Sequence, residues 1–407
     1  MTSRPTVAGP ADRGWQLLIT LGVLLAFASI STDLFLPALP TMSWDLGAGE
    51  GTLQFTISGY LLGFGFGQLF WGPISDRFGR RLPVAIGVAI FIIGSAGCAL
   101  STEAWQIIGW RVVQAVGASA SVALARAMVR DLYGRDHAAK VLSTLMTVMS
   151  VAPLLGPSVG AQILAVSSWQ VIFWVLVAIG AATLVAIFRL PETLPVDRRE
   201  TSPIWGAFAD YPPLLRNRNL VGYAAALGFF YAAVFANIAG GAFAYISYHH
   251  LSPTLYGLIF ASGVFGLMGT NILNARLVTR LGSDTMLLTG VCGAAFFGTA
   301  LAVVTIFDLG GVWGLFVVQF LFGCMNGLIL ANAVAGGLSS VHGKTGAASA
   351  VLGFVQYGSG MAGSAIVGFL ANGTPIPMGC VMAAGGIGAL LSVLFARRPA
   401  KRGADPN

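Results

Sequence analysis

The 407-residue chain carries little charge, because Asp, Glu, Lys and Arg make up only 9% of it while 56% of its residues are hydrophobic. Soluble domains contain roughly 25% charged residues, so this composition excludes an ordinary soluble protein. The 54 glycines fit helices in a bilayer, where small residues let neighbouring helices approach closely. The composition therefore predicts an integral membrane protein built from helices.

Metal-binding and nucleophilic motifs are also missing from the sequence. The four cysteines and four histidines form no CxxC pair and no Cys/His cluster, and each cysteine lies alone in a different apolar run. We expect no metal or organic cofactor, and four free, buried thiols. The apolar runs contain no GxxxxGK[ST] loop or Ser/His/Asp grouping, and no loop is large enough for a catalytic or sensor domain. A membrane enzyme or receptor is therefore the least favoured class of function.

Twelve apolar runs are long enough to cross a bilayer as helices, which takes about 20 residues each. They cover residues 16–40, 53–74, 82–101, 104–128, 139–163, 169–189, 219–246, 254–278, 284–306, 311–339, 345–371 and 376–396. The first run is too long to be a removable signal peptide. The sequence thus predicts an all-α integral membrane protein with twelve transmembrane helices.

Lysine and arginine are concentrated on one side of this predicted bundle. With twelve spans, both termini and every even-to-odd connection share a side, and 21 of the 22 basic residues lie there or at the adjoining helix ends. The remaining one is Arg111, inside the fourth run. Because basic residues mark cytoplasmic loops, we expect a multi-pass protein of the cell inner membrane with both termini in the cytoplasm. This topology explains the net charge of +7 without nucleic acid as a partner.

A polar, proline-rich connection divides the twelve spans into two sets of six. The predicted organisation is a cytoplasmic N-terminus at 1–15, a six-helix bundle at 16–190, a cytoplasmic linker at 191–218, a second six-helix bundle at 219–396 and a cytoplasmic tail at 397–407.

A weak internal repeat supports the division into halves. The segment GPISDRFGRR at 72–81 recurs as ARLVTRLGSD at 275–284, which aligns Gly79 with Gly282. Internal repeats of this kind are typical of transporters whose site lies between two halves, near the middle of the membrane.

Two charged residues lie well inside the predicted spans. Asp33 precedes Pro40 by seven residues and Arg111 follows Ala104 by seven, so both lie about 10 Å from the same membrane boundary. An Asp at the bilayer centre costs about 2.5 to 3.5 kcal/mol and usually lines a cavity, pairs with another charge or takes part in proton or ion movement. We expect Asp33 and Arg111 to attract each other directly or through water, and Asp33 to exchange a proton. A static ion pair is the alternative.

The fifth run contains two prolines and two glycines: Pro153, Gly156, Pro157 and Gly160. Prolines remove backbone donors and bend a helix, while glycines four residues apart give it a smooth packing face. We expect this helix to bend or seal beside Asp33, and ordinary helix packing is an equally supported alternative.

A charged segment follows the second run. Its turn-forming and charged residues are Gly72, Asp76, Arg77, Gly79, Arg80 and Arg81. The arginines are consistent with an ordinary cytoplasmic anchor, which leaves Asp76 unexplained. We expect Asp76 to cap a helix or to pair with a cation such as Arg126 or Arg130, and so to latch two helices in one conformation.

The second half offers polar and aromatic side chains rather than charge. Amides and phenols in membrane helices either hydrogen-bond between helices or line a polar cavity. Asn237 lies within one residue of the repeat position of Asp33. The candidates for cavity lining are Tyr231, Phe235, Asn237, Asn326, Asn332 and Gln356.

These motifs resemble those of a known family. Residues 72–81 resemble the GxxxDRxGRR signature of the major facilitator superfamily, and Arg111, Gln114 and Gly117 resemble its fourth-helix RxxQG-type motif. Residues 156–160 resemble the fifth-helix antiporter motif, although Ala161 stands where a second glycine is usual. With DLFLPALP at 33–40 and RDLY at 130–133, the pattern resembles the Bcr/CflA family of drug:proton antiporters, which includes bicyclomycin and chloramphenicol exporters.

The resemblance implies a major-facilitator fold of two pseudo-symmetric six-helix bundles, and efflux of small drug-like or metabolite compounds by alternating access. It implies that the proton gradient supplies the energy, and that Asp33, Arg111 and Gln114 take part in coupling or substrate binding. It further implies a latch at 72–81 and support of antiport by Gly156 and Pro157. We expect a functional monomer in the lipid bilayer. Proton symport in the uptake direction stays open, because the residues do not set the direction of flux.

One departure from the family concerns acidity in the first helix. Some multidrug relatives carry a second carboxylate two turns before Asp33, where this chain has Leu25. Asp33 is therefore expected to act as a single protonation switch.

Overall fold

The computed structural model describes residues 14–132, 135–199, 211–341 and 345–397, and every regular element in these ranges is helical. The first half consists of α1 (Gly14–Asp33), α2 (Leu39–Asp45), α3 (Glu50–Phe78), α4 (Arg81–Ala99), α5 (Ala104–Leu132), α6 (Arg135–Val166) and α7 (Trp169–Phe188). A 3₁₀ turn, Leu36–Ala38, joins α1 to α2.

The second half follows a linker that contains a 3₁₀ turn at Val196–Arg198 and the short helix α8 (Tyr211–Leu214). It consists of α9 (Arg218–Ala242), which continues as a π-helix at Phe243–Tyr248, then α10 (Pro253–Leu281), α11 (Ser283–Phe307), α12 (Gly311–Cys324), α13 (Asn326–Ser339), α14 (Thr345–Phe369) and α15 (Ile376–Arg397).

Ten helical segments in the described ranges are long and apolar enough to cross a membrane. Two of these segments contain a break in the helix: one comprises α1 and α2, and the other comprises α12 and α13. The two remaining predicted spans are α3, whose apolar residues are diluted by glycine and glutamine, and α6, whose described apolar part is Val151–Val166. The predicted all-α membrane fold is confirmed.

The helices pack into two groups that follow the chain. In the first, α3 and α4 pack on α5, α4 packs on α7, and α1 packs on α5 and α6. In the second, α9 packs on α14 and α15, and α11 packs on α13 and α15. Two seams join the groups, α3 against α14 and α6 against α10. Space left between the seams is therefore enclosed by helices of both groups.

The weak sequence repeat corresponds to the same backbone feature in both halves. Helix α3 ends at Gly79 and helix α10 at Gly282, with φ of 90° and 80°. In each case the glycine N–H donates to the carbonyl oxygen four residues earlier, on Ser75 and Val278. Positive φ favours glycine at a helix end because it has no Cβ atom. The repeat therefore marks one structural turn built twice.

We call the end of the molecule that carries these two turns the basic end, because Arg77, Arg80 and Arg280 lie there. We call the opposite end the far end. By direction along the chain, α3 begins at the far end and α14 finishes there, so the α3–α14 seam is antiparallel.

Both seams are tight towards the far end. A Cβ atom placed on Gly51 of α3 would lie 2.3 Å from the carbonyl oxygen of Gly368 on α14. One step further in, the hydroxyls of Ser58 and Ser364 hydrogen-bond at 2.7 Å. In the other seam, a Cβ atom on Gly257 of α10 would lie 3.0 Å from the Ser158 Cα of α6. The two halves are thus in direct contact at the far end.

The expectation of four buried thiols is wrong for two of them. Cys98 and Cys324 are buried, whereas Cys292 and Cys380 are exposed on the outside of the bundle. In a membrane helix an apolar run does not distinguish a side facing the protein from a side facing lipid, since both surroundings are apolar.

Candidate functional site

A cavity of about 290 Å³ lies between the two halves. The first half contributes Asp33, Tyr60, Phe64 and Pro153 to its lining, and among the described residues that line it Asp33 alone carries a charge. The second half contributes mostly rings and amides, chiefly Tyr231, Phe235, Asn237, Tyr245, Tyr256, Phe260, Phe316, Gln319, Phe320, Phe322 and Asn326. A mainly apolar cavity with a few polar groups is typical of a small-molecule site.

The apolar run at 16–40 predicted one continuous helix, but the first span is broken. Helix α1 ends at Asp33, and the chain continues through the 3₁₀ turn Leu36–Ala38. Pro37 explains the end, because a proline ring clashes with the carbonyl group four residues earlier, which belongs to Asp33. The acid therefore lies at a helix break.

Two further irregularities adjoin the same cavity. The seventh span changes to π-helix at Phe243–Tyr248, which contains the cavity residue Tyr245. The tenth span is interrupted at Met325, directly before the cavity residue Asn326. Broken helices beside a central site are a feature of membrane transporters, where irregular backbone is tolerated if it lines a cavity.

Asp33 has no direct ionic partner among the described residues. Its side chain is 5% exposed, and one carboxylate oxygen accepts a hydrogen bond from the Thr32 hydroxyl at 3.1 Å. The ion pairs formed by described residues both belong to Arg80, so Asp33 and Arg111 form no direct ion pair. The two groups still attract each other electrostatically, as the sequence predicted. Equal depth along two helices fixes the height of two side chains but not the direction in which each points.

Arg111 is completely buried and is held by neutral groups. Its Nη1 donates to the Ser31 carbonyl oxygen at 2.8 Å and to the Gln114 side-chain oxygen at 2.5 Å. Ser31 lies in the last turn of α1, where carbonyl groups have no helical partner. Gln114 in turn donates to the Ser95 hydroxyl at 2.7 Å. The predicted fourth-helix pair of Arg111 and Gln114 therefore acts as one hydrogen-bonded unit.

Two aromatic rings complete the surroundings of this guanidinium group. Its central carbon lies 4.3 Å from the centre of the Phe35 ring and 4.2 Å from that of Tyr60. Its Nε and Nη2 atoms have no hydrogen-bond partner among the described residues. Ring faces attract a desolvated cation, so they substitute in part for the missing carboxylate.

Tyr60 adjoins both the cavity and the arginine. Its side chain lines the cavity with Asp33 and also covers Arg111, which is not part of the described lining. The Tyr60 and Ser31 hydroxyl oxygens are 2.5 Å apart. Because the Ser31 hydroxyl already donates to the Ala28 carbonyl, the Tyr60 hydroxyl is the donor to Ser31. Tyr60 is thus fixed by Ser31 against Arg111 at the cavity wall, and no sequence pattern pointed to it.

Helix α6 packs directly against the Asp33 segment. A Cβ atom on Gly156 would lie 3.1 Å from the Asp33 Cβ, and one on Gly160 only 1.8 Å from the Leu34 carbonyl oxygen. Pro153 lines the cavity, and the helix remains continuous through both of its prolines. The residues around Pro157 face Gly257 of α10 across the seam. Helix α6, which carries the predicted antiporter motif, therefore packs against the Asp33 segment and against α10 of the second half.

The charged turn at the basic end is centred on Arg80 rather than on Asp76. The Arg80 guanidinium binds Asp76 at 2.6 Å, Asp131 at 2.8 Å and the Ser75 hydroxyl at 2.6 Å. Partial burial works against its charge, but the carboxylates of Asp131 and Asp76 outweigh this and raise the pKa of Arg80. We call this cluster of Ser75, Asp76, Arg80 and Asp131 the latch. It joins the end of α3 to α5.

This pairing corrects the predicted partner of Asp76. The described partner is Arg80, four residues along the same turn, and not Arg126, while the side chain of Arg130 lies outside the described residues. Arg77 is exposed, and the Gly72 carbonyl oxygen accepts a hydrogen bond from the Ser75 hydroxyl at 2.8 Å.

Glu192 completes the latch and was missed by the sequence analysis. Its carboxylate accepts the backbone N–H groups of Arg80 at 2.8 Å, Arg81 at 3.2 Å and Leu194 at 3.0 Å. Burial opposes its ionisation, but these hydrogen bonds outweigh the effect and hold the pKa of Glu192 below its ordinary value. The side chain of Arg81 also donates to the Phe188 carbonyl oxygen. The start of the linker is thereby tied to the first turn of α4.

Four of the six lining candidates in the second half do line the cavity: Tyr231, Phe235, Asn237 and Asn326. Asn332 and Gln356 lie outside the described lining. Asn332 donates to Asn274 at 2.7 Å and accepts from Ser283 at 2.9 Å, which joins three helices near the basic end. The Gln356 side chain lies within hydrogen-bonding reach of the Tyr231 hydroxyl. Amides that bridge helices and amides that line a cavity look alike in a sequence.

Residues 21–364 match the family model described as Major Facilitator Superfamily. The chain belongs to the major facilitator superfamily. Within this superfamily of transporters, it is 30% identical to the bicyclomycin resistance protein homolog of Haemophilus influenzae, over 93% of this chain and 95% of the relative. It is 32% identical to the chloramphenicol resistance protein of Pseudomonas aeruginosa, over 89% and 88%. The resemblance to Bcr/CflA drug:proton antiporters is confirmed.

Solved structures of the superfamily show the same fold. The xylose transporter XylE from E. coli, in a partially occluded inward open conformation, superposes with a TM-score of 0.72 over 94% of this chain and 96% of that chain. The sequence identity is 14%, so this likeness concerns the fold alone.

Proposed function

We propose that the protein exports small drug-like or metabolite compounds across the cell inner membrane in exchange for protons. The observation that carries the proposal is Asp33, a single carboxylate at a helix break, in a cavity between two halves, without an ion pair to any described cation. Such an acid accepts or releases a proton according to what surrounds it. Relatives named for bicyclomycin and chloramphenicol resistance support drug-like substrates.

The exchange needs two conformations. In the one described, the far end is closed by the α3–α14 and α6–α10 seams. With the basic end in the cytoplasm, Asp33 releases its proton there as a compound enters the cavity. When the seams open and the basic end closes, Asp33 takes up a proton from outside and the compound leaves. One proton and one compound thus compete for a cavity that faces each side in turn.

The proposal also covers the membrane topology, the two helix bundles and the oligomeric state. Both termini are cytoplasmic, because the arginines of the latch and of the loops lie at the basic end. Residues 16–190 and 219–396 move as the two bundles, joined by the linker at 191–218, of which residues 200–210 lie outside the described ranges. The protein works as a monomer, without a cofactor and without catalysing a reaction. The proton gradient alone drives it.

Transport in proteoliposomes with an imposed pH gradient tests the proposal. Chloramphenicol is a suitable first probe, because it is uncharged and is not trapped by the gradient itself. With an acidic interior, protons flow outwards, and we expect chloramphenicol to accumulate inside the vesicles against its gradient. Empty liposomes and a protonophore serve as controls. Accumulation only when the interior is alkaline would contradict antiport and indicate uptake by symport.

A further inference from the structure

The wall of the cavity formed by the second half contains a chain of three polar side chains. The Tyr245 hydroxyl donates to the Gln319 side-chain oxygen at 2.9 Å, and the Gln319 amide nitrogen donates to the Asn237 side-chain oxygen. All three residues line the cavity. These hydrogen bonds link α9 and its continuous π-helical extension to α12, so two transmembrane spans are held in one arrangement.

The backbone under Tyr245 is shaped to place it there. At this point the helix changes to π-type hydrogen bonding, and the His249 N–H donates to the Ala244 carbonyl, five residues earlier, at 3.2 Å. A π-helical turn is less stable than an α-helical one and is found most often at functional sites. Tyr245 is fully buried in the cavity wall, and its hydroxyl contacts Gln319.

One end of this chain is free to bind a ligand. The Asn237 amide nitrogen forms no hydrogen bond with another described residue, although Asn237 lines the cavity. A primary amide has two N–H donors, and leaving these donors without partners in a mainly apolar cavity is costly. A bound compound with a carbonyl, hydroxyl or amide group satisfies them.

The charges of the cavity restrict what that compound is. No cationic side chain is among the described lining residues. Arg111 instead contacts the rings of Tyr60 and Phe35. An anionic compound therefore finds no counter-charge. The rings of Tyr231, Phe260, Phe316 and their neighbours offer flat apolar surfaces to the rest of the molecule.

We propose that Gln319, Asn237 and Tyr245 form the polar subsite of the substrate cavity and determine its specificity. The subsite takes uncharged compounds that combine an aromatic or apolar body with a carbonyl, amide or hydroxyl group. This inference rests on the proposed transport function and adds to it which groups of the second half recognise the compound. A compound held between this subsite and the Asp33 side contacts both halves.

Equilibrium binding to the purified full-length protein in detergent tests the subsite separately from transport. Two probes differ in the relevant chemistry: chloramphenicol has amide and hydroxyl groups, whereas the tetraphenylphosphonium cation has aromatic rings and no hydrogen-bonding group. We expect Gln319→Leu to weaken chloramphenicol binding about tenfold, because one buried polar contact is lost and Asn237 is left without its partner. Binding of tetraphenylphosphonium should change less than about twofold, because it depends on rings alone.

Two further variants keep the test decisive. Tyr245→Phe retains the ring and removes only the hydroxyl that orients Gln319, so chloramphenicol binding should weaken about threefold in a protein that folds normally. Gln68→Leu removes a glutamine of α3 that lies outside the described lining, and should leave both affinities unchanged.

The outcomes separate the subsite from the transport mechanism. Wild-type protein that fails to bind chloramphenicol, unchanged chloramphenicol affinity in Gln319→Leu and Tyr245→Phe, or equal losses for both probes would each overturn the subsite. The expected selective loss upholds it even if proteoliposome transport on the same preparations shows no response to a pH gradient. That second result would count against antiport only.

Discussion

Arg111 is a buried cation whose charge is balanced by dipoles and ring faces instead of by an acid. It contacts the Ser31 carbonyl, the Gln114 amide and the rings of Phe35 and Tyr60. Transferring a charged group from water to the protein interior costs several kcal/mol of free energy unless good partners replace the water. The consequence is that Asp33, which lines the cavity, forms no ion pair with a described residue that would fix it in one protonation state.

The first prediction concerns this arrangement. Tyr60→Leu removes a ring face from Arg111 and a hydroxyl from Ser31, and should lower the free energy of unfolding by about 2 to 4 kcal/mol. Tyr60→Phe keeps the ring and should cost only about 1 kcal/mol. Thermal unfolding of the purified variants in detergent measures the difference. Equal losses in the two variants would show that the ring does not stabilise Arg111.

Sequence reasoning identified Asp33 and Arg111 because charge inside an apolar run is conspicuous. It did not find Tyr60, Gln319 or Glu192, because tyrosine and glutamine are ordinary in membrane helices and an acid is ordinary in a loop. Nor could it show that Asp33 and Arg111 form no direct ion pair. Their separation depends on how α1 and α5 are rotated about their axes, and long apolar runs with lipid on one side and protein on the other carry little periodic signal.

At the scale of helices, the site depends on places where regular structure stops. Helix α1 ends at Asp33 under the influence of Pro37, α9 widens into a π-helix at Tyr245, and α12 gives way to α13 before Asn326. Hydropathy predicted the spans that contain these residues but not the breaks, because it responds to the transfer of side chains and not to backbone hydrogen bonding. Of the three breaks, only the one at Asp33 has a local cause in the sequence, which is Pro37.

The second prediction concerns the contact between α6 and the broken end of α1. A Cβ atom on Gly160 meets the Leu34 carbonyl oxygen at 1.8 Å, so Gly160→Ala must push the two helices apart. We expect a loss of stability of about 1 to 3 kcal/mol and at least a tenfold loss of transport rate. Gly269→Ala is the matched control, because Gly269 has nothing within 4 Å of an added Cβ. Similar activities of the two variants in proteoliposomes would rule out a role for this close contact.

At the scale of the whole molecule, two halves meet along two seams, with the cavity between them. The division into halves and the repeated glycine turn at Gly79 and Gly282 were accessible from the sequence, since positive φ leaves a residue signature. Which helices form the seams was not, because the small residues of α3, α6, α10 and α14 occur equally in helices that pack within one half.

The third prediction concerns opening of the far end. In a chain whose four native cysteines have been replaced, Ser58→Cys combined with Ser364→Cys places two thiols where hydroxyls now lie 2.7 Å apart. Oxidation should link the halves and abolish transport, and a reducing agent should restore it. Each single variant should be insensitive to oxidation. Transport that continues in the cross-linked protein would mean that this seam does not open during the cycle.

The measurement that tests the central claim most directly is the proton flux that accompanies a transported compound. Proteoliposomes loaded with a pH-sensitive dye report this flux when chloramphenicol is added, for wild type and for Asp33→Asn, which is nearly the same size and can keep the hydrogen bond from Thr32. Asp45→Asn is the control, because Asp45 lies at the far end and binds the Trp169 indole at 3.1 Å. We predict that Asp33→Asn loses the coupled proton flux while chloramphenicol binding stays within a few-fold of wild type, and that Asp45→Asn retains both. A coupled proton flux of wild-type size in Asp33→Asn would contradict the account.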